Sequence, residues 1–179
     1  YKNIVFSGGS IRGLSYIGCL KSLEERGIIE GITTFAGASI GSIVSTMIYL
    51  GFNSTELYQL MMAIKLEDLK NIDAENIMDF FKIFGVDDGS KFRKFIEICI
   101  RKRGFKHDIN FKEAYNIIKK KLIIVGSCLN TQSADYFSHE TTPEMKIVDA
   151  IMASISIPFY FTMKTHGEFS YSDGGLIDN

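Results

Sequence analysis

The residues with the clearest chemistry lie in Thr34-Phe35-Ala36-Gly37-Ala38-Ser39-Ile40-Gly41-Ser42. A short apolar run through Phe35 and Ala36 turns sharply at Gly37-Ala38-Ser39-Ile40-Gly41. It leaves on a helical pattern, with Ile40, Ile43, Val44, Met47 and Ile48 spaced three and four apart. G-x-S-x-G where a strand hands over to a helix is the context of a nucleophile elbow. There the Ser39 hydroxyl projects past the strand end, beside the positive end of the following helix. Gly37 and Gly41 keep side chains away from the tight turn and from an incoming substrate. The plainer reading of these residues is a Gly-bracketed turn whose serine caps the helix. The pentapeptide alone does not decide between the two.

A second loop lies one strand-helix unit upstream. Ile4-Val5-Phe6 reads as a short strand and runs into Ser7-Gly8-Gly9-Ser10-Ile11-Arg12-Gly13. Leu14, Ile17, Leu20 and Leu23 then form a helical stripe, and Gly27 stands where a left-handed C-terminal cap is expected. A glycine-rich loop between a strand and a helix N-terminus turns several backbone N–H groups toward one point and binds negative charge. A phosphate loop needs G-x-x-x-x-G-K-[ST], and Leu14 follows Gly13. A dinucleotide loop needs G-x-G-x-x-G, and Gly8, Ser10 and Gly13 give G-x-S-x-x-G. The third use is an oxyanion hole, and a serine one unit later makes it the coherent choice.

Taken together, Ser7 to Gly13 and Gly37 to Gly41 resemble the patatin-like phospholipase family, whose members carry G-G-G-x-[RK]-G and then G-x-S-x-G. Ser10 stands in place of the third glycine. Ala153-Ser154-Ile155-Ser156-Ile157-Pro158-Phe159-Tyr160-Phe161 resembles the family block A-S-x-A-x-P-x-x-F, with Ser156 for an alanine. Asp173-Gly174-Gly175 reads in isolation as a turn, but it matches the family motif D-G-[GA], whose aspartate is the catalytic base. The resemblance runs in family order from Ser7 to Gly175. It implies an α/β fold, a three-layer α/β/α sandwich around a largely parallel sheet. It also implies Ser39 as nucleophile and Asp173 as proton acceptor. The N–H groups of Gly8, Gly9 and Ser10, helped by Ile40, hold the oxyanion, and Arg12 and Gly13 shape the loop. The implied activity is a lipid acyl hydrolase of phospholipase A type acting on glycerolipids, with no cofactor and no metal. Acyl transfer on the same dyad and a catalytically silent lipid-binding module are the alternatives. A Ser-Asp dyad leaves His107, His139 and His166 outside the site as surface residues. Partial burial is expected to raise the pKa of Asp173 so that it serves as a base.

The remaining sequence places these motifs. The 179 residues read as a single domain, 46% hydrophobic and 23% charged, with net charge −1. No overall field argues for nucleic acid. No apolar run reaches the ~18 residues that span a bilayer, and no secretory signal is visible. The expected setting is intracellular and cytoplasmic, in peripheral contact with a membrane surface; a protein activator is left open. Family members usually continue past D-G-G, so the domain is expected to be incomplete at its C-terminus. Cys19, Cys99 and Cys128 fit no disulfide framework or metal spacing and are expected as buried reduced thiols.

Residues 52–121 read as a charged helical insertion resembling a lid. Leu57, Leu60, Met61 and Ile64 form one apolar side. Glu67 to Asp88 is acidic and Gly89 to Lys106 basic, with Met78, Phe80, Phe81, Ile83, Phe84, Phe92 and Phe95 among them. Two uses remain open: helices with solvated faces packed over the sheet, or an acyl-chain entrance beside a cationic face for anionic headgroups. A helix is predicted over Phe111 to Lys120 and a central strand over Leu122 to Leu129. A turn over Asn130 to Ala134 and a short strand over Tyr136 to Ser138 follow. Thr142-Pro143 should open a helix over Met145 to Ile155, and Phe169 to Ser172 should be the last strand.

Overall fold

Alternation of short apolar strands with amphipathic segments produces an open sheet with helices packed on it. The computed structural model describes residues 1–63, 66–71 and 85–179. The strands are β1 (Asn3–Phe6), β2 (Thr34–Ala38), β3 (Lys121–Cys128), β4 (Ser133–Phe137), β5 (Lys164–His166) and β6 (Phe169–Ser172). The helices are α1 (Ser15–Glu25), α2 (Ile40–Tyr49), α3 (Ser54–Ala63), α4 (Ser90–Lys102), α5 (Phe111–Ile118) and α6 (Ile147–Ser154), with short 3₁₀ turns between them. Strand order is β1-β2-β3-β6-β5, and β4 pairs with the other edge of β3. The sheet is parallel through β1, β2 and β3 and antiparallel where β4, β6 and β5 join. The α/β class and the open sheet flanked by helices are as the sequence predicts. Met78, Phe80, Phe81, Ile83 and Phe84, and Ile64 of the predicted α3 stripe, lie outside the described residues.

Right-handed crossovers that step in one direction across a sheet keep their helices on one face, and β1 to β2 to β3 does so. That face carries Phe6, Phe35, Leu122 and Ile124, all buried, and meets Met47 of α2 and Ile147, Val148 and Ile151 of α6 in one core. Val5, on the other face, is 73% exposed. In β3, Gly126 leaves room for the rings of Phe137 and Tyr171 to meet edge to face, 5.1 Å between centroids. A Cβ at Gly126 would lie 2.6 Å from the Phe137 ring.

One arrangement of β3 governs the site. Its first part, Lys121 to Val125, pairs with β2, and Ser127 and Cys128 pair with Ser172 and Tyr171 of β6. Because β4 occupies the opposite edge from Ile124 to Cys128, β2 and β6 lie on the same edge. They run in opposite directions and meet end to end. Ala38 ends opposite Val125 and Ser172 ends opposite Ser127, so the residues that follow each strand are delivered to one place.

Several boundaries differ from expectation for local reasons. β4 begins at Ser133, inside the predicted turn, because a tight connection lets it pair with β3 as soon as the chain reverses. α6 starts at Ile147, not at Met145 after Pro143: Lys146 is extended and bridges Asn110. α5 ends at Ile118, because Lys119 takes a left-handed φ of 60°. Its start is fixed by a capping box in which the Asn110 side chain accepts from the Glu113 N–H. Leu14 is exposed, so only Leu20 of the α1 stripe is fully buried. Cys99 and Cys128 are buried as expected, whereas Cys19 lies on the outward side of α1 and is exposed.

The N-terminus of α2 rests directly on strand backbone. A Cβ at Gly41 would overlap the Phe6 carbonyl, and one at Gly37 would overlap the Gly41 carbonyl. Neither clash can be relieved by rotating a side chain. Gly41→Ala is therefore expected to destabilise the fold by at least ~2 kcal/mol, with a lower urea midpoint and loss of the elbow geometry. A midpoint equal to that of native protein would contradict this close packing.

Candidate active site

Ser39 is the first residue past β2 and precedes the first turn of α2. It has φ 52° and ψ −128°, a left-handed conformation that a non-glycine residue adopts at a cost of about 1–3 kcal/mol. Neighbouring hydroxyls hold it there. The Ser39 N–H donates to Ser154 Oγ at 2.9 Å, and Ser42 Oγ donates to the Ser39 carbonyl at 2.6 Å. With the backbone so fixed, the Ser39 hydroxyl donates to Asp173 Oδ2 at 2.6 Å.

Asp173 is the first residue past β6. Its Oδ1 accepts from the Gly175 N–H at 2.9 Å, and its own N–H donates to the Ser156 carbonyl at 2.9 Å. Ser127 Oγ donates to the Asp173 carbonyl at 2.8 Å. Gly174 packs so closely on the Val125 carbonyl that a Cβ there would overlap it. Burial pushes the Asp173 carboxyl above its ordinary range, and the hydrogen bonds from Ser39 and Gly175 oppose that rise. Both Ser39 and Asp173 are only 7% exposed.

The upstream loop lies against the same point. A Cβ at Gly8 would stand 3.1 Å from Ser39 Cβ, and one at Gly13 would strike Ile40. Tyr16 anchors the loop's start: its hydroxyl donates to the Ser7 carbonyl at 2.9 Å and meets Ser7 Oγ at 2.9 Å. Ser10, in place of a glycine, has φ 51°. This is the region glycine enters without a Cβ penalty, so the serine holds the turn under strain. The Arg12 N–H donates to the Gly9 carbonyl at 3.0 Å, closing the turn, and Arg12 itself is exposed.

The structure thus brings Gly8 beside Ser39 and Gly13 against Ile40, in the loop that also carries Gly9, Ser10 and Arg12, with Gly37 and Gly41 under the elbow and Gly174 and Gly175 around Asp173. No histidine hydrogen-bonds to Ser39 or Asp173 among the described residues. His107 and His166 are exposed. His139 is not an open surface residue: its ring stacks on Tyr115 with centroids 3.7 Å apart, and its side chain is 16% exposed. Ser154 and Ser156, which brace the two central residues from the end of α6, were visible only as part of a motif. Neither the Ser154 hydroxyl bracing Ser39 nor the Ser156 carbonyl bracing Asp173 is readable until α6 is packed on β3.

The elbow, the glycine loop and the aspartate at the meeting of two strand ends define the class as an α/β protein with a serine-centred site. The family model for patatin-like phospholipases matches residues 4–179, and the chain belongs to that family. It is 30% identical over 185 residues to the probable lipid hydrolase 463L of Invertebrate iridescent virus 6, covering all of this chain and 61% of that protein. It is 33% identical over 175 residues to the uncharacterized protein R571 of Acanthamoeba polyphaga mimivirus, covering 97% of this chain and 58% of that one. The chain therefore spans about 60% of the length of these relatives. Among solved structures, VipD from Legionella pneumophila shares the fold over the whole chain and 46% of its own length, with a TM-score of 0.74 at 17% identity.

The raised pKa of Asp173 has a consequence for stability. In the folded protein the carboxyl holds its proton above the ordinary value of 3.8. Its stabilising contribution is complete below that value and is lost as pH rises through the raised one. At neutral pH the buried charge is a net cost. Asp173→Asn is expected to match or exceed native stability at pH 7, with the difference shrinking as pH falls toward 3.8. Urea midpoints across this range check the sign, and an Asn variant weaker than native at pH 7 alone would contradict it.

Proposed function

We propose that the protein is a lipid acyl hydrolase of phospholipase A type, working through Ser39 and Asp173 by way of an acyl-enzyme. The observation that carries this reading is the 2.6 Å hydrogen bond from the strained Ser39 hydroxyl to the buried Asp173 carboxylate. Asp173 takes the Ser39 proton as Oγ bonds to the ester carbonyl carbon. The carbonyl oxygen gains negative charge beside the N–H groups of the Gly8–Ser10 loop. When the carbon–oxygen bond to the alcohol breaks, Asp173 returns the proton to the leaving group. Water then attacks the acyl-Ser39 ester along the same path and restores the free hydroxyl. A carboxyl whose pKa is raised by burial is a stronger base than a solvated one, which suits this role.

Family membership and the lipid hydrolase relative support a glycerolipid substrate. Three segments that meet at the dyad carry exposed apolar side chains. Ile11 and Leu14 follow the glycine loop, Ile157 and Phe159 follow Ser156, and Leu176 and Ile177 follow Gly175. Such a rim suits acyl chains and the surface of a lipid aggregate. The basic face of α4 is a weaker candidate for that surface than its sequence suggests. Arg93 pairs with Asp149 and Glu97, Arg101 with Glu97, and Arg103 with Glu56. Lys94, Lys102 and Lys106 remain exposed. No helix among the described residues is long and apolar enough to cross a membrane.

Ser39→Ala is expected to abolish both ester hydrolysis and fluorophosphonate labelling in a protein that still folds. Asp173→Asn should lower turnover by ~10²–10⁴-fold, and activity of native protein should rise with pH through the raised Asp173 pKa and then level off. Single replacements of His107, His139 and His166 should leave turnover within a few-fold of native. Labelling that persists in Ser39→Ala, or a histidine variant that is inactive yet folded, would refute the dyad.

The rim makes a separate prediction. Ile11→Asp with Ile157→Asp should weaken binding to phosphatidylcholine vesicles by about ten-fold or more. Hydrolysis of a soluble short-chain ester should change by only a few-fold. Unchanged vesicle binding would remove the rim from lipid contact.

A further inference from the structure

Five described residues other than glycine have a left-handed φ, and two of them, Ser10 and Ser39, lie in the glycine loop and the elbow. Ser39 is held by side chains: the Ser154 and Ser42 hydroxyls meet its N–H and carbonyl, and its own hydroxyl meets Asp173. Ser10 sits in a backbone turn closed by the Arg12 N–H on the Gly9 carbonyl. It is exposed, and its hydroxyl forms no hydrogen bond with any described residue. Glycine takes this conformation without a Cβ penalty. The serine therefore costs conformational energy, and its hydroxyl offsets none of that cost inside the protein. Strain of this kind, next to a reactive group and without an internal partner, is explained by a partner that arrives with the substrate.

The position of Ser10 limits which part of a substrate that partner is. Gly8 lies against Ser39 and Gly13 against Ile40, so the loop is pinned to the elbow on both sides of Ser10. Ser10 Cα lies within about 7 Å of Gly8 Cα. Groups bonded close to an ester carbonyl held at this loop therefore come within reach of its hydroxyl. An acyl chain offers that hydroxyl nothing to bond. The alcohol half of a glycerolipid does, because each carbon of glycerol carries an oxygen. Resting on the hydrolase reading above, we infer that Ser10 is a specificity-determining residue whose hydroxyl hydrogen-bonds the substrate oxygen on the carbon next to the ester-bearing one. A serine hydroxyl both donates and accepts, so it takes a free hydroxyl, an ether oxygen or an ester oxygen at that place. The loop then selects esters of polyols over esters of simple alcohols, and glycerolipids are the polyol esters that suit the apolar rim.

The test compares native protein, Ser10→Ala and Ser10→Gly on hydroxyethyl octanoate and propyl octanoate, with each variant first shown to unfold cooperatively in urea. The two esters differ only by a hydroxyl for a methyl on the carbon in question. The readout is the ratio of kcat/KM for the two, in which any change common to both esters cancels. Ser10→Ala keeps a Cβ at the left-handed φ and Ser10→Gly removes it, but both lose the hydroxyl. The preference for the hydroxyethyl ester should fall by about three- to ten-fold, the range one neutral hydrogen bond supports, and to the same level in each variant. A ratio unchanged from native in both would overturn the assignment. A fall confined to one variant would trace the effect to loop shape and overturn it as well, with the hydrolase reading intact. Turnover of neither ester by native protein above the Ser39→Ala background would refute the hydrolase reading, and the role of Ser10 with it.

Discussion

Two strands that run toward each other along one edge of β3 fix the geometry on which everything else depends. β2 stops opposite Val125 and β6 stops opposite Ser127. The next residue on one side is Ser39 and on the other Asp173. Backbone hydrogen bonds of the ladder set the separation of the two side chains before any side-chain contact forms. The rest of the site refines that placement: Ser154 and Ser42 hold the elbow, Ser156 and Ser127 hold the aspartate, and Gly174 lets the turn lie flat on β3. Ser154, Ser42 and Ser127 act through short hydroxyl side chains, which satisfy buried backbone groups in little space, and Ser156 acts through its backbone carbonyl.

Strain and burial are coupled here. Ser39 and Ser10 both sit at positive φ in loops that face each other, and neither loop would keep that conformation alone. The α2 terminus supplies the restraint for the first, through glycines that allow backbone to rest on backbone. Tyr16 and the packing of Gly13 on Ile40 supply it for the second. The same close packing removes water from Asp173, and the loss of water raises the carboxyl's affinity for a proton. Rigidity and basicity thus have one origin.

The parts of the site that are consecutive in sequence were legible there. G-A-S-I-G between an apolar run and a helical stripe identifies an elbow, and Ser7 to Gly13 identifies a donor-rich loop, because in both cases chemistry and local geometry occupy the same few residues. The contact between Ser39 and Asp173 is different. It spans 134 residues and came from resemblance, since nothing local marks Asp173-Gly174-Gly175 as more than a turn. Long-range bracing was not legible at all. Ser154 and Ser156 look like ordinary helix-end serines, and their partners are defined only when α6 lies across β3. The outward side of Cys19 and the stacking of His139 on Tyr115 were misjudged for the same reason. Periodicity tells which residues share a face, but not how much of that face a neighbour covers. Ion pairs of Arg93, Arg101 and Arg103 with Glu97, Asp149 and Glu56 likewise neutralise part of an apparently basic stretch.

The end-to-end strands also bear on how such a protein can change over time. β3 acts as a ruler with fixed divisions, and Ser39 and Asp173 are read off at marks two residues apart. Of the described helices between residues 52 and 121, α3 packs on α1, α4 on α6, and α5 reaches β3. Their exposed faces can exchange charge while Ser39 and Asp173 stay in register, although their buried faces belong to the common core. Insertion or deletion of a single residue between Val125 and Ser127 has no such latitude. It would turn every following side chain of β3 to the opposite face and carry the aspartate out of reach of the serine.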